Sequence, residues 1–448
     1  MNGNLIRAER NVPRYTSYPT APHFTGTIGP ETYASWLAAL PAAATLSLYL
    51  HVPFCTEICL YCGCHTKAAR RRDPIERYAD RLAEEIALAA AAAGRRKVVH
   101  LHWGGGTPSI LGETNIRRIV DRLADAFDLS ALREHAIELD PRQVTRPLAR
   151  ALAELGVNRA SLGVQDFSPR VQQAIGRVQP FEIVTSAVAA LRDAGIRNIN
   201  IDLMYGLPLQ TIRDVRRNVE IAASLDPQRI AIFGYAHVPW MKKNQRLIDE
   251  TALPNLSGRV AQARAASKTL AGLGYVPVGL DHFAQPADEL ATAMRAGRLH
   301  RNFQGYTTDR ADALIGLGAS AIGKLPQGFV QNAVDTGGYS RAIEAGRFAT
   351  VKGVALSADD HMRGRIIERL MCDLTVDLDL IARDSEAAPA DNFSAELSAL
   401  EPLAADGVVR IDGRRVTMTE QGRPFVRLVA AAFDAYLSRE QARHSIAV

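Results

Sequence analysis

The sequence predicts a mixed α/β protein: a partial (β/α)6-type barrel with an N-terminal arm and a C-terminal, mostly helical, winged-helix-like domain. Three observations carry this expectation. Apolar strand-like runs alternate with amphipathic helices between about residues 45 and 280, and such alternation implies a parallel sheet with right-handed crossovers. Cysteine, glycine-rich and polar signals fall at the C-terminal ends of these strands, where barrels gather their active sites. Beyond residue 355 the pattern changes to helix, helix and hairpin. The expected divisions are an arm over 1–44, a barrel with closing loops over 45–354 and a C-terminal domain over 355–448.

Taken in order, residues 1–40 carry PRYTSYPTAPHF, rich in Pro, Tyr and Thr, which reads as an ordered extended arm rather than a helix. Strands are expected at Leu46–Val52, Val98–Trp103, Ala136–Asp140, Arg159–Val164, Asn198–Met204, Arg229–Tyr235 and Tyr275–Val278. Helices are expected at Pro74–Ala93, Asn115–Phe127, Thr145–Leu155, Glu182–Ala194, Thr211–Ser224 and Gly258–Gly272. Residues 281–354, with the Gly-rich run Gly316–Gly323, read as loops closing the barrel mouth. The C-terminal domain reads as helices at about Ala358–Cys372 and Phe393–Ala404, a hairpin over 407–418 and a last helix at about Gln421–Ser438. Fold alone does not fix its role.

The first strand runs straight into a cysteine cluster, Cys55, Cys59, Cys62 and Cys64, which holds four of the chain's five cysteines. The fifth, Cys372, stands alone. The C-x3-C-x2-C spacing of Cys55, Cys59 and Cys62 supplies three thiolates to a [4Fe–4S] cube and leaves one iron open. Zinc competes, but structural zinc sites pair two such ligand sets across a longer stretch. A Cys59/Cys62 redox pair would leave Cys55 and Cys64 without a purpose. A disulfide framework is disfavoured because no signal core precedes the loop and the rest of the chain is nearly cysteine-free. Later strand ends carry Gly104-Gly105-Gly106-Thr107-Pro108, Glu138-Leu-Asp140, Gly163-Val-Gln165 with Arg177 nearby, Asp202 and Tyr235-Ala236-His237. Polar groups at several consecutive apolar strand ends need partners.

At 448 residues and 47% hydrophobic content, the chain can bury a large core without disulfides. No run of about 20 apolar residues is free of charge, so no membrane span is expected, and a cytoplasmic location is. A net charge of +5 is mild for this size; it is compatible with an acidic substrate and is only weak evidence for nucleic acid.

The loop Cys55-Thr-Glu-Ile-Cys59-Leu-Tyr61-Cys62 resembles the signature of the radical S-adenosylmethionine (SAM) enzymes. In that superfamily SAM chelates the open iron, and an electron from the cluster splits the sulfonium to give a radical that abstracts hydrogen from unactivated carbon. Over nearly the whole chain, PRYTSYPTA, LYLHVPFC, CGC, HWGGGTP, ELDPR, GVQDF, NIDLMYGLP, YAHVP, GLDHFA and HRNFQGYTT resemble the oxygen-independent coproporphyrinogen III oxidase (coproporphyrinogen III dehydrogenase) family. That resemblance implies Cys55, Cys59 and Cys62 as cluster ligands. It implies Tyr49, Tyr61, Gly105, Glu138 and Ile322 as contacts of the cluster-bound SAM. It implies Gly106, Thr107, Gln165, Arg177, Asp202 and Ala236 as contacts of a second SAM, making two per chain. Cys64 stands at the family's extra, non-ligating cysteine.

The reaction implied is oxidative decarboxylation of two propionates of coproporphyrinogen III to vinyls, giving protoporphyrinogen IX in anaerobic haem biosynthesis. A propionate β-carbon has no acidic hydrogen, so a carbon radical is needed. The partners implied are that small-molecule substrate and an unidentified electron donor, with the chain acting as a monomer. Two rivals are a haem-carrying chaperone of the same superfamily and a metal-stabilised nucleic-acid-binding protein. Relatives of the first kind generally lack the arm and the extra cysteine, both present here. The second leaves the barrel's polar set without a purpose.

Overall fold

The computed structural model describes residues 12–384 and 393–437. They form two compact units: 24–202 with 309–355, and 12–23 with 203–308 and 356–437.

In the first unit, strands β1 (Thr45–Val52), β2 (Lys97–Gly105), β3 (Glu134–Leu139) and β4 (Arg159–Gln165) pair in parallel and in sequence order. β5 (Asn198–Tyr205) begins in this unit next to β4. Every expected strand and helix of the alternating region is present to within a few residues. Leu46, Leu48, Leu50 and Val52 are buried on one face and Ser47 and His51 on the other, as expected where both faces of a parallel sheet are covered. Thr145 caps the helix Arg146–Glu154 through its side chain.

Two readings of this unit need correction. The helix Pro30–Ala38 lies within the stretch read as extended; Pro30 stands at its first position, where a missing N–H costs nothing, and Tyr33 and Leu37 bury one face. Residues 313–355 are more than loops. A further strand, β6 (Ala313–Leu317), lies parallel to β1 on the side away from β2, with Gly316 opposite Tyr49. Ile322–Leu325, Gly328–Asn332 and Thr350–Ala355 then extend the sheet in antiparallel fashion. Glycine hid this strand from propensity reasoning. It is required at 316 because a Cβ there would stand 2.6 Å from the Ile322 carbonyl oxygen.

The helix Arg72–Ala93 buries Ile75, Tyr78, Ala79, Leu82, Ile86, Ala89 and Ala93 at helical spacing, and Glu85 in the same stripe. The Glu85 carboxylate accepts from Gly318 N–H (2.6 Å), Asn332 Nδ2 (2.6 Å) and the Tyr339 hydroxyl (2.8 Å). Burial outweighs these donors and pushes its pKa up from 4.5 to about 7. The folded protein therefore holds this proton more tightly than the unfolded chain. The associated stability is present below pH 4.5 and is lost as pH rises through about 7. Glu85→Gln cannot ionise. The gap in unfolding free energy between the variant and the wild type is expected to shift in the variant's favour by about 3 kcal/mol from acid to mildly basic pH. Denaturation curves of both proteins across that range check this; parallel pH profiles would sink it.

In the second unit, the end of β5 is followed by the strand Arg229–Gly234, with Tyr235 N–H donating to the Tyr205 carbonyl at 2.8 Å. His282–Ala284 and Val276–Val278 then join antiparallel. A capping box, Thr211 with Asp214, opens the helix Ile212–Ser224. The C-terminal part holds helices Ala358–Asp373, Leu378–Arg383 and Ser394–Ala405, and a three-stranded sheet of Thr375–Asp377, Arg415–Met418 and Val409–Asp412. Its core takes in Met362, Ile366, Leu370, Val416, Phe425 and Phe433 together with Val12, Tyr15 and Tyr18 of the arm.

The expected last helix is broken. Residues 423–425 are 3-10, only Val426–Ala430 is α, residues 431–433 tighten again and Asp434 is extended. Arg363 takes the Phe433 carbonyl in place of continued helix bonding, and the Tyr15 hydroxyl holds the Asp434 carboxylate at 3.0 Å. The far end of that expected helix, at Ser438, lies outside the described residues. Among the described residues no helix is long and apolar enough to cross a membrane.

Candidate active site

Burial of Phe54 fixes where β1 ends and the cysteine loop begins. The loop is closed at its root: Phe54–Cys55 pairs in parallel with Lys67–Ala68, Lys67 N–H donates to the Pro53 carbonyl (3.0 Å), and Ala69 N–H to that of Cys55 (2.8 Å). Within it, Cys62 N–H turns back to the Cys59 carbonyl at 3.2 Å. Cys59 is buried, Cys55 and Cys62 are half-buried, Cys64 is exposed, and all are free thiols.

The segment after β2 is stitched to this root. Gly106 N–H donates to the Val52 carbonyl and Thr107 N–H to that of Phe54, both at 2.8 Å. The fit leaves no space for side chains. A Cβ on Gly106 would lie 2.4 Å from the Phe54 carbonyl oxygen, and one on Gly105, at φ +109°, 2.6 Å from the His51 ring.

Three polar side chains are directed at the sulfurs. Thr66 Oγ1 and Thr107 Oγ1 lie 3.4 and 3.5 Å from Cys55 Sγ, and Arg177 Nη1 lies 3.5 Å from Cys59 Sγ. Burial pushes the Cys55 thiol pKa up, and the Thr107 and Thr66 hydroxyls act against it. Among the described residues no three His, Cys, Asp or Glu side chains converge as ligands of one metal ion. A cubane cluster asks for a different arrangement, one thiolate on each of three irons, and the spread of Cys55, Cys59 and Cys62 around a pinned loop fits it.

The remaining first-unit residues implied by the resemblance gather around this loop. Glu138, one strand over on β3, accepts from His102 Nε2 (3.3 Å) and Gly105 N–H (3.2 Å). Burial alone would raise its pKa; His102 and the Gly105 amide reverse that and hold it below the usual carboxylate range. The Tyr49 hydroxyl lies 3.0 Å from His51 Nδ1, while His51 Nε2 faces the His65 carbonyl at 3.0 Å. A carbonyl only accepts, so Nε2 carries the proton and Tyr49 donates to Nδ1. Ile322 opens the antiparallel strand beside Gly316, itself opposite Tyr49. Tyr61 lies half-buried inside the loop.

The residues implied for a second SAM divide. Gly106 and Thr107 are at the loop root. Gln165 ends β4 with φ +71°, an unusual conformation for a non-glycine residue and one that recurs at functional sites. Buried Arg177 donates to Asp140 Oδ2 (3.2 Å) and the Gly163 carbonyl (2.5 Å) as well as reaching Cys59. Asp202 accepts from Ser161 Oγ (3.2 Å) and Asn200 Nδ2 (2.8 Å). Ala236 belongs to the second unit, just past the strand Arg229–Gly234, where its carbonyl accepts from Gln245 Nε2 at 3.2 Å.

Sequence reasoning passed over His51, Thr66 and His102, which touch the implied residues directly. Their signal was present as polar residues inside or beside apolar strands. Arg142, which the ELDPR motif includes, grips Asp140 with its fork at 2.7 and 3.0 Å.

The radical SAM superfamily model matches residues 49–222, and the HemN C-terminal domain model matches residues 356–425. A relative from Bradyrhizobium diazoefficiens, an oxygen-independent coproporphyrinogen III oxidase, is 51% identical over 98% of each chain. One of the same name from Escherichia coli K12 is 38% identical, with 96% of this chain and 94% of the relative covered. The solved structure of coproporphyrinogen III oxidase from Escherichia coli, a radical SAM enzyme, superposes with a TM-score of 0.90 at 36% identity, over 96% of this chain and all of that one.

Proposed function

The chain belongs to the oxygen-independent coproporphyrinogen III oxidases of the radical SAM superfamily, and from that premise we propose how its residues divide the work. The reaction is oxidative decarboxylation of two propionates of coproporphyrinogen III to vinyls, giving protoporphyrinogen IX. Cys55, Cys59 and Cys62 hold a [4Fe–4S] cluster whose open iron takes SAM. When bound, the pair supplies a carbon radical able to remove hydrogen from a propionate β-carbon. The observation that carries this reading is the pinned loop, with three spaced thiols and donors from Thr66, Thr107 and Arg177 directed at two of them.

Around it, Glu138 offers a counter-charge to the ammonium of the SAM head group, and Tyr49, Tyr61, the Gly105 backbone and Ile322 shape its seat. Gly106, Thr107, Gln165, Arg177, Asp202 and Ala236 bind a second SAM. The electron that starts each cycle comes from a separate donor, and the electron released as each propionate loses carbon dioxide passes to an acceptor. A cytoplasmic location suits the oxygen sensitivity of such a cluster. The match to oxidases along the whole chain supports catalysis over haem carriage.

The test is anaerobic turnover of reconstituted protein with coproporphyrinogen III and SAM, read by product mass. Stepwise loss of two carboxyl groups is expected; haem binding without any product would overturn the reading. Cys64 separates two versions of the site. It is exposed while Cys59 is buried, and a fourth thiolate on the cluster would block SAM. Cys64→Ser is therefore expected to keep the iron content of the wild type while lowering turnover, and loss of iron in that variant would make Cys64 a ligand.

A further inference from the structure

The second unit holds a cavity of about 570 Å3, within the range of small-molecule sites. Of the residues discussed so far as ligand contacts, Ala236 alone lines it. One part of its wall is apolar and aromatic, with Tyr205, Phe233, Leu280 and Phe283. Over the rest, seven basic side chains face only two acidic ones. Arg14, Arg264 and Lys268 are exposed, but Arg259, Arg301, Arg423 and Arg427 are buried or half-buried, and like charges repel more strongly where water is scarce.

Arg301 makes the imbalance specific. Its side chain is 6% exposed, and its guanidinium lies over the Tyr306 ring at 4.4 Å. The Asp281 carboxylate is 3.8 Å away and already faces His282 Nδ1 at 2.8 Å. Among the described residues, Arg301 Nε and Nη1 have no hydrogen-bond partner. Buried donors in native proteins are nearly always satisfied by protein, water or ligand, so these two nitrogens have room for an acceptor from outside the protein. Arg423 lines the same cavity, anchored to the Gly279 carbonyl. Arg427 lines it too and grips the backbone carbonyls of Val12 and Pro13, which holds the arm against this unit and brings Arg14 to the lining. Burial first, then the neighbouring charges of Arg14 and Arg301, push the Arg427 pKa down to about 9. An anion bound among these groups relieves both costs. A single carboxylate leaves most of the excess standing, whereas a ligand with several removes it.

We infer that this cavity anchors the substrate's carboxylates, with Arg301 and Arg423 as specificity-determining residues and the aromatic wall receiving the tetrapyrrole ring. The inference rests on the function proposed above and adds the residues that recognise the propionates. Arginine suits this work because its planar fork matches a carboxylate with two parallel hydrogen bonds.

The experiment uses full-length, cluster-reconstituted protein under anaerobic conditions. Two probes are titrated by fluorescence: coproporphyrin III, the stable oxidised ring with the same four carboxylates, and its tetramethyl ester. The wild type is expected to bind the acid at least about tenfold more tightly than the ester. Arg301→Gln and Arg423→Gln each weaken the acid by about tenfold or more and leave ester binding and iron content unchanged. Arg264 and Lys268 line the cavity from exposed positions on the helix Leu256–Gly272, so the double variant Arg264→Gln/Lys268→Gln avoids any risk to folding. It should weaken the acid by about two- to fivefold at low salt, an effect that fades at high salt.

Equal binding of acid and ester by the wild type, or acid binding unchanged in all three variants, overturns the inference. So does displacement of the porphyrin by excess SAM, which would assign the cavity to an amino-acid head group. Carboxylate-dependent binding without turnover of coproporphyrinogen III leaves the anchoring in place and overturns the proposed reaction. Turnover with arginine-independent binding does the reverse.

Discussion

Replacing Cys55, Cys59 or Cys62 by alanine is expected to give a folded, colourless protein that makes no product. The anaerobically purified wild type should be brown, with about four iron and four sulfide per chain. Each alanine variant should lose that content, because removing one of three thiolates leaves an iron without its anchor. The fold should survive, since the strands beside the loop are held by their own buried faces, Leu46 to Val52 among them, and by Phe54 at the loop root. Iron analysis and circular dichroism on the same samples read the two claims separately. Zinc in place of iron after anaerobic purification, or a full iron complement in any of the three variants, would sink the cluster assignment.

Arg177→Ala and Asp202→Ala should each abolish product formation while iron content stays at the wild-type level. Arg177 is buried in the first unit and spans three partners, Cys59, Asp140 and the Gly163 carbonyl. Asp140 keeps its fork from Arg142 when Arg177 is removed, so the variant does not strand a bare carboxylate. Losing a buried charged partner costs about 2–5 kcal/mol of ligand binding, about thirtyfold or more in affinity. Equilibrium binding should therefore saturate near two SAM per chain in the wild type and near one in either variant. Arg177→Lys keeps the charge and loses the fork, so partial recovery there would separate charge from geometry. A single SAM site in the wild type, with both variants fully active, would refute the two-SAM arrangement and leave the radical SAM assignment standing.

Where sequence reasoning succeeded, the signal was local. β1 reads as a strand because Leu46, Leu48, Leu50 and Val52 alternate with Ser47, Tyr49 and His51, and the cysteine loop follows because four cysteines lie within ten residues. The helices of the alternating region repeat at a period that one element displays by itself. Arg177 and Asp202 stood out as polar residues at or beside strand ends, and the family resemblance gave them their roles. Their partners were out of reach, since Cys59 lies 118 residues from Arg177 and Ser161 lies 41 from Asp202.

What failed depended on contacts distant in sequence. β6 is short, with Gly316 breaking an apolar run, and it is a strand because β1 offers it a parallel edge. The last helix breaks where Arg363 and Tyr15 supply hydrogen bonds that the sequence near residue 433 does not reveal. Glu85 reads as one more charge on a helix of mixed character, and burial against Gly318, Asn332 and Tyr339 turns it into a group that titrates near pH 7.

By itself, the sequence determined the α/β alternation, the cysteine loop and the chemistry such a loop supports, because each is written within a few adjacent residues. The tertiary structure alone decided the seating of the glycine segment on the loop root, the protonation pattern of His51 and the basic cavity of the second unit. Its arginines come from segments as far apart as residues 14 and 427. Desolvation and mutual repulsion act on them only once folding has brought them together, and a linear reading carries no trace of that cost.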